Sequence, residues 1–237
     1  MSMTSIQQRL AQVRREIHAA EARYGRAPGS VTLLAVSKTW PLEDILEAAA
    51  AGQTHFGENY VQEAVAKIDA CPPELGQGLE WHFIGHIQSN KSRDVACRCH
   101  WVHSVDRLKL ARRLSEQRPE QLPALNICLQ VNISQESSKA GLAPDQVLPL
   151  AHQVSQLPRL RLRGLMAIPA PGRDIDQQRA VFRQVRQLQQ QLIDDGLALD
   201  TLSMGMSGDM EAAIAEGATL VRIGTAIFGQ RDSDLTN

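Results

Sequence analysis

Apolar segments recur along this chain at intervals too wide for hairpins and wide enough to hold a helix in between. They fall at 31–37, 55–58, 80–85, 101–105, 125–132, 161–168, 200–204 and 220–224. The stretches between them, 41–51, 60–69, 89–98, 107–117, 144–156, 176–195 and 208–216, read as helical. The pattern is plainest in 176–195, where Val181, Val185, Leu188 and Leu192 make one stripe ahead of Gly196. Strands that alternate with helices pair in parallel through right-handed crossovers. Eight of them predict an α/β fold, a closed (β/α)8 TIM-type barrel, with an open doubly wound sheet as the alternative. Ahead of the first strand, Ile6, Leu10, Val13, Ile17 and Ala20 share one helix face, with Ser5 and Gln8 spaced as a capping box and Gly25 as a stop. Residues 1–25 are therefore expected to form an additional N-terminal helix packed on the barrel, and 1–237 a single domain, since no linker or repeat divides the chain.

Composition excludes several function classes. The formal net charge is −1, and no basic patch is interleaved with aromatics, so a nucleic-acid module is not expected. No apolar run approaches the ~18 residues of a membrane span. The first ten residues lack the charged-then-apolar layout of a signal peptide, so the expected location is cytoplasmic. Cys71, Cys97, Cys99 and Cys128 offer no second Cys/His pair at metal-site spacing, and they read as reduced thiols with no metal site.

In both α/β architectures the chemistry gathers at the carboxyl ends of the strands. The first strand delivers Lys38. The second delivers Glu58 and Asn59, the third His82 and His86, the fifth Asn132 and the sixth Met166. The seventh leads into Met204-Gly-Met-Ser207-Gly-Asp-Met, and the eighth carries Arg222 and then Gly224-Thr225. Loops after strands seven and eight of a barrel commonly build a phosphate site at a helix N-terminus. Ser207 begins such a helix here, and Gly224 and Thr225 add close backbone, an amide and a hydroxyl. Read structurally, Ser207 is only an N-cap and Gly224 only a turn. Lys38 changes the balance: among apolar neighbours a strand-end lysine is partly desolvated, which favours the uncharged amine that attacks carbonyls. Strands one and eight become neighbours once a barrel closes. An aldehyde carrying its own phosphate would bridge the two groups, and pyridoxal 5′-phosphate (PLP) has both.

The runs Ala35-Val-Ser-Lys-Thr39, His55-Phe-Gly-Glu-Asn-Tyr-Val-Gln-Glu63, Arg163-Gly-Leu-Met-Ala-Ile-Pro169, Ser203-Met-Gly-Met-Ser207 and Val221-Arg-Ile-Gly-Thr-Ala-Ile-Phe-Gly229 together resemble the pyridoxal phosphate homeostasis proteins, single-domain relatives of the alanine racemase barrel. The resemblance runs in order from about residue 30 to 229. It implies that Lys38 holds PLP as an internal aldimine, a Schiff base. It implies that Ser207, Gly224 and Thr225 cradle the phosphate, that Arg222 faces the pyridine nitrogen, and that Asn59 and Met166 line the ring. It further implies a role in vitamin B6 homeostasis, in which PLP is bound, buffered and handed on to PLP-dependent apo-enzymes. The chain departs from the family at His86, where proline is common, and at Trp40.

Racemisation of the alanine racemase type is the alternative function. It needs acid/base groups on both faces of the substrate carbon. In alanine racemase one is a tyrosine from a second domain of the partner subunit, and this chain is expected to end just past strand eight. Its two tyrosines read as the end of the first helix (Tyr24) and a packing residue (Tyr60). A non-catalytic carrier is therefore expected, and a monomer. Lys139, after strand five, is a candidate second aldehyde acceptor. A sugar-phosphate or aldolase-like barrel is the remaining reading.

Overall fold

The computed structural model describes residues 5–135 and 140–230. Helix α1 (Ile6–Arg23) precedes the strands β1 (Thr32–Val36), β2 (His55–Glu58), β3 (Glu80–Phe83), β4 (Trp101–Val105), β5 (Leu125–Val131), β6 (Leu160–Ala167), β7 (Thr201–Ser203) and β8 (Leu220–Ile223). Between them run α2 (Leu42–Ala50), α3 (Val61–Ala70), α4 (Pro73–Gly76), α5 (Ser92–Arg98), α6 (Leu108–Gln117), α7 (Pro144–Ser155), α8 (Ile175–Asp194) and α9 (Met210–Ala215), and α10 (Thr225–Phe228) follows β8. The strands form a closed parallel barrel in sequence order. The seam is the β1–β8 pair, with Leu34 opposite Arg222 and Ala35 opposite Ile223.

Each expected strand is present, its ends trimmed or shifted by at most two residues. The departures have local causes. Residues 89–91 form a tighter 3₁₀ turn before α5. The four-residue helices α4 and α10 are too short for a periodic signal. Helix α9 starts at Met210, so Ser207 does not begin it. The Asp209 carboxylate accepts the Met206 amide at 2.6 Å, and the Asp209 amide donates back to Met206 O at 3.1 Å, which closes 206–209 into a turn first.

Two packing regions result. The apolar stripes of the helices and the outward side chains of the strands make the large core, including Ile45, Phe56, Phe83, Leu110, Leu114, Val147, Phe182 and Val185. The barrel interior is separate, with Trp101, Cys128 and Met166 as a small apolar cluster of their own. His103 on β4 lies 2.7 Å from Ser203 on β7, a contact between non-neighbouring strands that only the barrel interior allows.

Helix α1 opens with the expected capping box: Ser5 Oγ accepts the Gln8 amide at 3.2 Å and Gln8 Oε1 accepts the Ser5 amide at 3.1 Å. It ends at Tyr24, and Gly25 takes a left-handed φ of 64°. The helix packs on α2, α9 and α10, which flank the β1–β8 seam. Arg26 ties its end down by donating to Ile214 O at 2.9 Å and Ala218 O at 3.0 Å. Among the described residues no helix is long and apolar enough to cross a membrane. Leu10 is fully buried in the contact between α1 and the barrel helices. Truncating it as Leu10→Ala should lower unfolding free energy by about 2–5 kcal/mol, read from urea denaturation.

Candidate functional site

Lys38 follows β1 by two residues and is half-buried. The backbone on either side of it is held from α3. Ser37, fully buried, donates from Oγ to Glu58 Oε1 at 2.6 Å. The Lys67 ammonium donates to Ser37 O and Glu58 Oε1, both at 2.8 Å, and to Glu63 Oε1 at 2.5 Å. Glu63 Oε1 also accepts the amide of Thr39, which sits at a left-handed φ of 66°. A threonine holds that conformation only where its surroundings impose it. Burial raises the pKa of Glu58, outweighing the opposing effect of the adjacent Lys67.

From β2, Asn59 presents a buried Oδ1 with no hydrogen-bond partner among the described residues. Its backbone is crossed closely by Gly85: a Cβ there would lie 2.0 Å from Asn59 O. On the other side of β1, a Cβ on Gly224 would come within 3.2 Å of Val36 O.

Arg222 is 4% exposed. Its Nη1 donates to Ser203 Oγ at 2.8 Å and its Nη2 to Ala167 O at 2.9 Å. Burial lowers its pKa to about 10, with Asp209 opposing, so the guanidinium stays charged at neutral pH. Behind Ser203 runs a column of imidazoles. His103 Nε2 is 2.8 Å from His82 Nδ1, and His82 Nε2 is 3.0 Å from His55 Nδ1. Burial, with the Arg222 charge adding to it, pushes His103 down to about 3. Burial holds His82 well below the ordinary histidine range. Both rings are therefore neutral, each with one donor and one acceptor nitrogen.

These elements enclose a cavity of about 690 Å³ at the carboxyl ends of the strands, lined by Lys38, Asn59, Ser207, Arg222, Gly224 and Thr225. Met166 does not line it. Met166 is packed with Trp101 and Cys128 inside the barrel, and Ile168, two residues on, reaches the cavity instead. Lys139 lies outside the described residues. Tyr60 is 53% exposed rather than packed. His86 is exposed, whereas Trp40 joins the cavity wall and stacks on Phe228 with ring centroids 5.9 Å apart. Lys67, His103 and Ser203 are further residues that hold the site, beyond those the sequence motifs indicate. Lys67 had a signal in its i,i+4 spacing from Glu63, and His103 in its two-residue step from Trp101 on a strand.

Among the described residues no carboxylate lines the cavity, and its charged walls are Lys38 and Arg222. A strand-one lysine and a strand-eight arginine thus face one cavity beside the turns after strands seven and eight. Residues 9–232 match the family model for the alanine racemase N-terminal domain. Alanine racemase of Clostridium difficile shares the fold, with a TM-score of 0.70 at 13% identity over 93% of this chain and 57% of its own. PipY of Synechococcus elongatus, solved with PLP bound, gives a TM-score of 0.81 at 41% identity over 95% of this chain and 100% of its own. The pyridoxal phosphate homeostasis protein of Pseudomonas aeruginosa is 58% identical over 231 residues, 97% of each chain. The chain belongs to the pyridoxal phosphate homeostasis protein family.

The Lys67 cluster makes a test of how the turn around Lys38 is held. Lys67→Met leaves Glu58 buried without its countercharge and should cost about 3–5 kcal/mol at neutral pH. The sign with pH follows from the raised folded pKa of Glu58. Its contribution to stability is full below the unfolded glutamate pKa and is lost as pH rises through the raised value. The deficit of the variant, measured by denaturant unfolding, should therefore be largest at neutral pH and shrink toward pH of about 4.

Proposed function

We propose that this chain binds PLP in the cavity at the carboxyl end of its barrel and serves as a carrier of that cofactor, without turning over a substrate. The carrying observation is the cavity's own chemistry: two cationic side chains and no carboxylate among the described lining residues. When bound, PLP supplies an aldehyde that condenses with a primary amine, and a phosphate dianion. Lys38 offers the amine. Ser207, Gly208, Gly224 and Thr225 offer small side chains, hydroxyls and close backbone for the anion. The positions of Asn59 and Arg222 suit the ring.

Arg222 argues against transamination-type chemistry and is compatible with either a carrier or a racemase. Its guanidinium has donors and no acceptor, so it withholds a proton from a ring nitrogen placed against it. That leaves the ring a weak electron sink. Racemase-type proton transfer needs two groups on opposite faces of the reacting carbon. No tyrosine, histidine or carboxylate is among the described lining residues, and His82 and His103 are committed to the column beneath Arg222. Release to PLP-dependent apo-enzymes by a monomer extends this reading.

The purified protein supplied with PLP should develop a yellow visible absorption band that is lost in Lys38→Ala. No band in either protein would remove PLP from the reading, and an equal band in both would move the attachment to another lysine. The PLP-loaded protein should form no D-alanine from L-alanine above a protein-free control. Sustained formation would replace the carrier with a racemase.

A further inference from the structure

The opposite, amino-terminal end of the barrel holds a second cluster, formed by His55, Glu80 and His82. His55 opens β2 and Glu80 opens β3, and the two are register partners. His82 stands two residues beyond Glu80, so the period of the strand returns it to the same face. His55 Nδ1 lies 3.0 Å from His82 Nε2 and 3.6 Å from Glu80 Oε2. One donor atom from each of the three residues falls within 4.8 Å of the others.

We propose that these three side chains form a binding site for a divalent transition-metal ion, with zinc the best match to two imidazole nitrogens and one carboxylate oxygen. Donors about 2.0–2.2 Å from a tetrahedral zinc stand about 3.3 Å apart, close to the separations His55 already makes. The supporting contacts are those a metal site requires. A ligating imidazole donates its other N–H to an acceptor, which fixes its tautomer. His82 Nδ1 has that partner in His103 Nε2 at 2.8 Å. The Glu80 carboxylate is oriented by the Trp101 indole, whose Nε1 donates to Oε2 at 3.0 Å. His82 is also stacked on the Trp101 ring, with centroids 5.3 Å apart and planes 10° from parallel.

A separate cavity of about 240 Å³ adjoins the cluster, lined by His55, His82, Trp101, Arg163 and Asp200 among others. It leaves room for water as a further ligand, the arrangement of zinc sites with three protein donors. The nearby Arg163 does not oppose a cation unaided. Its Nε and Nη2 are paired with the two oxygens of Asp200 at 2.8 and 2.9 Å, and its guanidinium lies 4.6 Å from the Trp101 ring centroid. The site does not involve Lys38 or the upper cavity, so it stands or falls independently of PLP.

The test is titration of chelator-treated, PLP-free protein with Zn²⁺ by calorimetry and with Co²⁺ by visible absorption. One equivalent should bind, and the cobalt form should show the intense visible bands of a four-coordinate ion. His55→Gln and Glu80→Gln should each weaken zinc binding at least tenfold. Both positions are partly exposed, and metal-free melting curves matching wild type would show that the variants fold. The proposal is overturned by absence of stoichiometric binding to wild type. It is equally overturned by binding that either substitution leaves unchanged, or by binding abolished when the cysteines alone are blocked.

Discussion

Backbone hydrogen bonding between the first and last strands sets Thr32 opposite Leu220, Leu34 opposite Arg222 and Ala35 opposite Ile223. The meeting of the β1 and β8 sides of the upper cavity depends on that closure. Lys38 and Thr225 are far apart along the chain, yet the seam makes them walls of one cavity. At Gly224 a Cβ would press on Val36 O at 3.2 Å, so the seam leaves little room for a larger residue. Helix α1 lies over the helices at this seam, and the Arg9 guanidinium donates to Ile227 O at the end of the last helix. The N-terminal segment therefore braces the junction that the cavity needs.

The interior beneath the cavity is polar, which is costly unless every group is paired. The pairing is achieved in series. Arg222 donates to Ser203, Ser203 meets His103, His103 meets His82, and His82 meets His55 near the surface. Burial keeps the two central imidazoles neutral. The charge of the column is thus concentrated at Arg222, where Ser203 and Ala167 O fix its direction. On the other side of the cavity the Lys67 ammonium plays a comparable part, holding Ser37, Glu58 and Glu63 around the turn that carries Lys38. Packing and charge pairing together leave Lys38 and Arg222 on the wall of a space large enough for a small phosphorylated ligand.

Most of the barrel was legible in the sequence because its strands are apolar runs of ordinary length separated by periodic helices. The elements that escaped, α4 and α10, are single turns with no period to read. Ser207 was expected to open a helix, since a serine before an apolar run is the common start signal. The Asp209 side chain instead closes a turn on the Met206 amide, and the helix waits until Met210. Met166 was expected at the ring. The shift of register between β5 and β6 after Ile127 accompanies its packing onto Cys128 and Trp101, and the cavity receives Ile168.

The sequence by itself determined the alternation of strand and helix, hence the barrel. It also determined which residue types stand at strand ends: lysine after the first, arginine on the eighth, glycine and serine in the turns beyond. Those are local properties, set by hydrophobic period and by turn chemistry. Only the tertiary structure decided which side chains meet across the interior. His103 and Ser203 are 100 residues apart and on strands that are not neighbours. Their contact, like the grouping of His55, Glu80 and His82, depends on the register of each strand against the next. Register is a property of the closed sheet, and a shift of one residue would turn every one of these side chains to the other face.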